Sequence, residues 1–290
     1  VEANLGISLL DMNPNSLEIQ RPENLASNSV VIFPNLYGIP DSIDCWEGIT
    51  IIDDAAQAGL SFAGGVRVGS RGDYGILSLG RGKAFAAASG GALLSNHKTN
   101  VAESVSSGGS TKIVTSILGL IAEHPLLFGL ASKLPFLKVG EVIYPDSILE
   151  KPITNLQLKM ITARLKVIDE VTAVHKRHVA YYENLLSGQS GISLPSVIRN
   201  QTSQALTRFP VVFADAGVRN RVFSELSSAG LGVSLSYNRT LDTFSQLSKY
   251  LGAYSGAKLA SQTLLTLPVH GKVRTEDLEK ICKVIKSSLQ

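Results

Sequence analysis

A chain of 290 residues, 44% of them hydrophobic and 18% charged, carries enough apolar material for one large or two moderate globular domains with a sizeable core. Its net charge of +3 is small, and its basic residues are scattered instead of gathered into a stripe, which argues against a nucleic-acid-binding surface. The two cysteines, Cys45 and Cys282, are far apart and outside any CxxC spacing, so neither a disulfide framework nor a zinc site is expected and a reducing cytoplasm is the expected location.

The opening residues VEANLG have no initiator Met and no basic region followed by an apolar run, so no signal peptide is expected and the chain reads as beginning within a longer protein. Short β-branched runs bounded by Pro, Gly, Asn and Asp then predict strands at residues 6–11, 30–34, 49–53, 74–79 and 91–95. These runs are apolar on both faces, the pattern of a mostly parallel sheet covered by helices on both sides, so the fold class is α/β. Residues 113–137 are apolar but interrupted by Glu123, His124, Pro125 and Lys133. That excludes a membrane span and suggests a buried helical pair or a subunit interface, with contact to a membrane surface as the alternative.

From 155 to 186, Leu156, Met160, Ala163, Val167, Val171, Val174, His178, Tyr181 and Leu185 recur every three or four residues, which predicts one long amphipathic helix joining two domains. Beyond it lie a strand at 209–213, a helix at 218–229 and strand-like runs at 232–236 and 264–267. A last helix begins near Thr275, with Glu276 and Asp277 in its first turn and Leu278, Ile281, Cys282 and Ile285 on one face. The organisation expected is a large domain over residues 1–160, then the linking helix and a small α/β domain over 161–290.

Three ordered motifs carry chemistry: IIDDAAQA at 51–58, RVGSRGDYGILSLGRGK at 67–83 and SGGALLSN at 89–96. The first sets two carboxylates at the C-terminal end of a strand, the edge at which open α/β sheets bind ligands. The second sets Lys83 in a loop where Gly80 and Gly82 let backbone approach a ligand closely. A lysine becomes a covalent catalyst when desolvation in a cleft disfavours its charged form. A pyridine cofactor acting as an electron sink then needs an anion at its ring nitrogen. Asp54 is the candidate anion, Gln57 could bond the ring hydroxyl, and Ser78 could bond a phosphate. Asp53 is expected to cap a following helix. The plainer readings are a solvated lysine, a surface amide and an ordinary strand serine.

Other chemistries fit less well. GRGK lacks the first Gly of a P-loop, which is Leu77 here, and its hydroxyl residue, which is Ala84. No GxGxxG follows a strand. His175 and His178 are three apart on the long helix but have no third ligand, so they are expected to be ordinary helix residues, one partly buried and one solvated.

The motifs resemble those of the DegT/DnrJ/StrS family of sugar aminotransferases, pyridoxal-phosphate (PLP) enzymes of fold type I. The family's VIEDAAQA matches IIDDAAQA, and its RVGS-x-GD-x-G-x-x-SF-x-x-x-K run matches residues 67–83 with the same spacing from Asp to Lys. An LYG-P segment is seen at 35–40 as NLYGIP, and a late LTLP-H segment at 265–270 as LTLPVH. The resemblance implies a fold type I PLP-transferase-like large domain with a small C-terminal domain, assembled as a homodimer. It implies that Lys83 holds pyridoxal 5′-phosphate as a Schiff base and shuttles a proton, that Asp54 pairs with the ring nitrogen, that Gln57 contacts the ring oxygen and that Ser78 binds the phosphate. The substrates it implies are an amino acid, glutamate first, and a nucleotide-linked keto sugar in amino-sugar or surface-polysaccharide synthesis.

The chain also departs from the pattern. The family's Asn-x-Arg-Met-Ser-Glu-Leu-Gln loop reads EKPITNLQ at 150–157, without the Asn and the Arg. Arg81, beside the lysine, is the candidate replacement for the lost phosphate contact, its plain alternative being a solvated charge. The family's common His before LYG is Asn35. Family members carry two strands, a phosphate-binding turn and a ring-stacking aromatic upstream of the position of Val1, so the N-terminal strands of the large domain are expected to be missing, and either the chain is a fragment of a longer protein or the strand at 6–11 re-pairs. These departures support a second class of function, a non-catalytic scaffold or regulatory relative. A sugar dehydratase of the same fold is a third, but such relatives typically replace the Schiff-base lysine with histidine.

Overall fold

The structure, a computed structural model, describes residues 6–80, 83, 85, 90–98, 105–106, 152–202, 204–250 and 252–290. Its first sheet is built from the apolar runs of the N-terminal half: β1 (Val30–Phe33), β2 (Thr50–Asp54), β5 (Tyr74–Ser78) and β6 (Gly91–Ser95), in the order β1-β2-β5-β6. The β1–β2 and β2–β5 pairs are parallel, Ile52 facing Tyr74 and Asp54 facing Ile76. β6 returns antiparallel to β5. Between β2 and β5 a short hairpin, β3 (Phe62–Ala63) and β4 (Val66–Arg67), turns at Gly64 and Gly65. Its Phe62 backbone exchanges two hydrogen bonds with the Gln204 carboxamide, which ties it to the C-terminal half.

One face of β1 is buried: Val31 and Phe33 pack with Ile43 and Trp46, the Phe33 and Trp46 rings meeting edge to face at 5.1 Å. The other face does not match the expectation of helices on both sides, because Val30 and Ile32 are about half exposed (52% and 55%). Among the described residues no helix covers Val30 and Ile32 on that face.

Residues 6–11 were expected as a strand and are not one. The segment has no strand pairing, and an isolated bridge, Met12 with Ile19, follows it. Its polar capacity goes elsewhere: the Asp11 carboxylate accepts from the backbone N–H groups of Gly256 and Ala257 at 3.0 and 2.8 Å, at the start of a helix over Ser255–Thr263. A Cβ at Gly256 would sit 1.8 Å from the Met12 carbonyl oxygen, so the close approach requires glycine. The apolar stretch at 113–137 lies outside the described residues.

β7 (Val105–Ser106) and β8 (Ile153–Thr154) form a separate two-stranded parallel pair. The expected single helix from 155 to 186 is two, α1 (Asn155–Leu165) and α2 (Ile168–Leu186). Thr154 and Gln157 close a capping box at the start of α1. The break falls at Lys166 and Val167, where flanking Leu165 and Val167 are exposed and no buried contact holds the chain in helical geometry. Met160 and Ile161 of α1 and Ile168 and Val171 of α2 pack on Leu60, Leu79 and Phe85 beside the first sheet. Farther along α2, Val179, Tyr182 and Leu186 enter a second core.

That second core surrounds a sheet of β9 (Ile192–Ser193), β10 (Arg208–Phe213) and β11 (Leu264–Pro268) in the order β11-β10-β9. After β9 come a one-turn helix, α3 (Pro195–Ile198), then β10 and α4 (Ala216–Ser228). α5 (Ser255–Thr263) leads into β11, and α6 (Thr275–Ser288) ends the chain. Phe209, Val211, Phe213, Leu265 and Leu267 pack with Val222 and Leu226 of α4 and with Leu278, Ile281, Cys282 and Ile285 of α6, the face the sequence pattern marks. Pro210 is accommodated inside β10 because β9 pairs only with Val212 and Phe213, leaving one flank of Pro210 free of a ladder. The run at 232–236 is not a strand and makes a single bridge, Ser234 with Thr266.

A buried ion network joins the two halves. Asp53, fully buried, receives Arg71 Nε at 3.0 Å, Arg71 Nη2 at 2.6 Å, the N–H groups of Gly69 and Arg71 at 2.7 and 3.2 Å, and Asn35 Nδ2 at 2.9 Å. No helix follows β2, so Asp53 caps none; residues 55–60 form turns. Arg71 also donates to the Asp41 carbonyl, and Asp41 receives Arg199, just after α3, at 3.1 Å. Burial pushes the Asp53 carboxyl up, but the Arg71 guanidinium and the Gly69 and Asn35 donors outweigh it and hold the group below 3.8. Removing one partner of a buried pair costs roughly 3–5 kcal/mol. Arg71→Ala is therefore expected to lower the unfolding free energy in urea titration by that order. A double Arg71→Ala, Asp53→Asn variant should lose less than the two single losses together.

Candidate functional site

The network fixes the end of β2, and the strand's alternation sends its next side chain the other way. Asp54 is partly buried, and Asn35 Nδ2 holds its backbone carbonyl at 2.9 Å while its carboxylate accepts the Ala56 N–H at 2.8 Å. Burial raises this carboxyl above its ordinary value, the Ala56 N–H and the charge of Lys83 working against the rise.

Lys83 is placed by the neighbouring parallel strand. β5 ends at Ser78, Leu79 donates to the Gly90 carbonyl at 2.9 Å, and the chain turns at Gly80. Ser78 Oγ accepts the Gly80 N–H at 3.3 Å, and the Lys83 N–H donates to the Gly80 carbonyl at 3.3 Å. A Cβ on Gly80 would lie 3.4 Å from Ser78 Oγ and 4.0 Å from Lys83 Cγ, so the hydroxyl and the lysine stem flank the same turn. Phe85, two residues on, is anchored beside Leu60 and Leu79. Burial pushes the Lys83 ammonium below the ordinary lysine value of 10.5, and the Asp54 carboxylate pulls it back up. Each group's charge opposes the shift that burial imposes on the other, and both residues stand at the C-terminal ends of adjacent parallel strands, Asp54 closing β2 and Lys83 in the loop after β5.

Gln57 lies in the turn after Asp54. Its Oε1 accepts the Tyr37 N–H at 3.1 Å and its Nε2 donates to the Tyr237 hydroxyl. The structure thus strings Gln57, Asp54, Lys83 and Ser78 along one sheet edge. Arg81 lies outside the described residues.

Several neighbours were not singled out from the sequence. Asn35, where the family's histidine stands, is fully buried and bonds Phe33, Asp53, Asp54, Asp41 and Arg71. Arg71 occupies a position the family pattern leaves variable. Tyr37 sits inside the LYG motif, a signal that could have marked it, whereas Tyr237 is 180 residues from Gln57 and has no local signal. His175 and His178, expected as one partly buried and one solvated residue, are both turned inward. Their Nδ1 atoms donate to the carbonyls of Leu206 and Val269 at 2.7 and 3.0 Å. Among the described residues no group of three His, Cys, Asp or Glu side chains could hold a metal, and no helix is long and apolar enough to cross a membrane. Cys45 and Cys282 are free thiols.

Comparison with known proteins follows the same outline. AtS13 from Actinomadura melliaura superposes with a TM-score of 0.68 at 19% identity, over 97% of this chain and 74% of its own. The sugar aminotransferase CalS13 from Micromonospora echinospora gives 0.67 at 17% identity, over 98% and 74%. The E. coli GDP-4-keto-6-deoxy-D-mannose-3-dehydratase, solved with bound hydrated PLP, gives 0.68 at 16% identity, over 96% and 73%. At these identities the likeness is one of fold, and the fold is the α/β architecture expected from the motifs. No curated protein matches the chain. The model of the DegT/DnrJ/EryC1/StrS aminotransferase family matches residues 24–119 and 148–286, and with the ordered motifs at 51–58 and 67–83 inside that match, the chain belongs to this family.

Proposed function

We propose that the chain is a PLP-dependent aminotransferase that moves an amino group from an amino acid, glutamate first, to a keto sugar carried on a nucleotide, in amino-sugar or surface-polysaccharide synthesis. The observation that carries this reading is that Asp54 and Lys83, both partly buried, stand at the C-terminal ends of the adjacent parallel strands β2 and β5, within a chain of an aminotransferase family. The donor set fits pyridoxal phosphate: an amine with a depressed titration for the aldehyde, a carboxylate for the ring nitrogen, a carboxamide for the ring oxygen and a hydroxyl for the phosphate. Of the solved structures with this fold, the E. coli dehydratase carries hydrated PLP and a Streptococcus pneumoniae sugar aminotransferase is known in PLP and PMP forms. When bound, the cofactor supplies the electron sink for the pair left behind as the substrate's α-proton departs.

The protein's own residues supply the rest. Burial keeps a fraction of Lys83 Nζ uncharged at lower pH than an exposed lysine, which lets it attack a carbonyl carbon and, once released, take and return a proton. Asp54 stays close enough to oppose a cation's loss of charge, the role required at a ring nitrogen. Ser78 Oγ, already bonded to the Gly80 N–H, presents the hydroxyl proton to an anion. Asp54 and Gln57 belong to β2 and the turn after it, Ser78 and Lys83 to β5 and its loop, so two adjacent strands set the spacing.

The proposal extends to a division into a large domain, 1–160, and a linking helix with a small domain, 161–290, and to a homodimer in the cytoplasm. A dehydratase reading is favoured by the fold it shares with the E. coli enzyme. Lys83 speaks against it, since it keeps the amine that transfer of nitrogen requires.

Two outcomes check the aminotransferase reading. Purified protein mixed with pyridoxal phosphate is expected to gain a visible absorbance band that borohydride fixes on Lys83, that Lys83→Ala does not form and that added glutamate bleaches. The rate of band formation should rise with pH through a midpoint below 10.5, as the amine deprotonates. Asp54→Asn should shift that midpoint lower still, because the carboxylate's charge is what supports the ammonium. A band that persists in Lys83→Ala, or none in the parent, ends the assignment.

A further inference from the structure

Tyr237 stands in a loop of the C-terminal half, yet its side chain reaches the edge of the first sheet. Its backbone is left-handed, with φ 56°, in a non-glycine aromatic residue. Such conformations cost energy and persist where surrounding contacts impose them. The residue is not core, since it is 42% exposed. Instead its hydroxyl accepts from Gln57 Nε2, and its ring lies 6.0 Å from that of Tyr37. Tyr37 in turn donates from its hydroxyl to the carbonyl of Ser236, the residue before Tyr237, at 3.4 Å. The loop is pinned from behind by paired backbone bonds between Ser234 and Thr266.

These contacts leave Tyr237 one unused resource. A phenol oxygen that accepts from Gln57 still carries its own proton, and Gln57 lies three residues beyond Asp54, in the turn that follows β2. Burial raises the titration of the phenol first, the Asp54 carboxylate raises it further, and the Gln57 bond opposes both. The groups that meet Tyr237 are Gln57, from the turn after β2, and the ring of Tyr37, from the segment after β1, while Asp54 and Lys83 add their charges to the same edge.

We propose that Tyr237 is a positioning residue for this site: its hydroxyl fixes the orientation of the Gln57 carboxamide and stands as a proton donor beside Asp54, so that the C-terminal half completes the sheet-edge site. The proposal rests on the cofactor reading given above for its functional consequence and on the Tyr237–Gln57–Asp54 cluster for its geometry. With Gln57 Oε1 committed to the Tyr37 N–H, the amide's donor end can only point toward the phenol and the space it borders. Removing the hydroxyl leaves that donor end free to turn.

The test is Tyr237→Phe, which keeps the ring and removes one oxygen. The thermal midpoint should stay that of the parent protein, because a part-exposed ring keeps its packing. Titration with pyridoxal phosphate should show affinity weakened roughly three- to tenfold, the effect of one lost hydrogen bond. The pH midpoint of the bound cofactor's visible band should move as well. Unchanged affinity and an unchanged midpoint overturn the proposal. A parent protein that forms no band instead ends the cofactor reading, and a second measurement then decides for Tyr237 alone. Its ionisation, isolated as the difference in near-ultraviolet tyrosinate absorbance between parent and Tyr237→Phe, should move to lower pH in Asp54→Asn. No movement there means the phenol and the carboxylate do not face one another, and the proposal falls.

Discussion

The contact on which the candidate site depends is the buried pair of Asp53 and Arg71. A carboxylate with no solvent exposure is tolerated only when its lone pairs are occupied, and five donor contacts converge on these two oxygens, three from Arg71 and one each from Gly69 and Asn35. Because β2 is extended, locking Asp53 on one face sends Asp54 to the other. Asn35 strengthens the coupling by bonding both the Asp53 carboxylate and the Asp54 carbonyl from one amide nitrogen. The paired acidic residues of the motif thus divide the labour, one holding the strand end and the other facing the space of Lys83.

In that space two opposing effects set the amine. Desolvation favours neutral Lys83 and a protonated Asp54, while the attraction between ammonium and carboxylate favours both charges. Burial prevails for each group, so each is displaced toward its neutral form relative to its ordinary value. Full exposure would have made the pair screened and inert.

The sequence made some of this visible and not the rest, for identifiable reasons. Strands β1, β2, β5 and β6 were legible because continuous apolar runs between turn residues have few alternatives, but strand direction leaves no mark in such runs, and β6 is antiparallel. Residues 6–11 carry a strand-like pattern that is overridden by a long-range need, the capping of α5 by Asp11. The break after α1 was invisible because the apolar spacing continues across Lys166 and Val167, and Met160 and Ile161 before it and Ile168 and Val171 after it pack on the same cluster. Asp54, Gln57, Ser78 and Lys83 could be named because they lie in ordered motifs of adjacent strands. Arg71, Asn35 and Tyr237 were missed because their roles arise from contacts between segments far apart in the chain, which no local pattern records.

Tyr37 shows how the two halves are made to answer to each other. Its backbone N–H holds Gln57, its carbonyl accepts the Thr207 N–H at 2.8 Å, and its buried ring packs in a separate small cluster with Leu17, Val212, Ala260 and Leu264. The residue is itself left-handed, with φ 60°, and the next, Gly38, has φ 98° with room for no side chain, since a Cβ would meet the Leu206 backbone at 3.0 Å. A short, tightly bent segment is thus clamped between the site edge and the C-terminal core. Any rotation of the second core against the first sheet must carry Tyr37 with it, and through Tyr37 it must displace the amide of Gln57. The geometry of this sheet edge is in this sense set by packing in the C-terminal half, through a segment of three residues that joins a turn, a buried aromatic and a glycine.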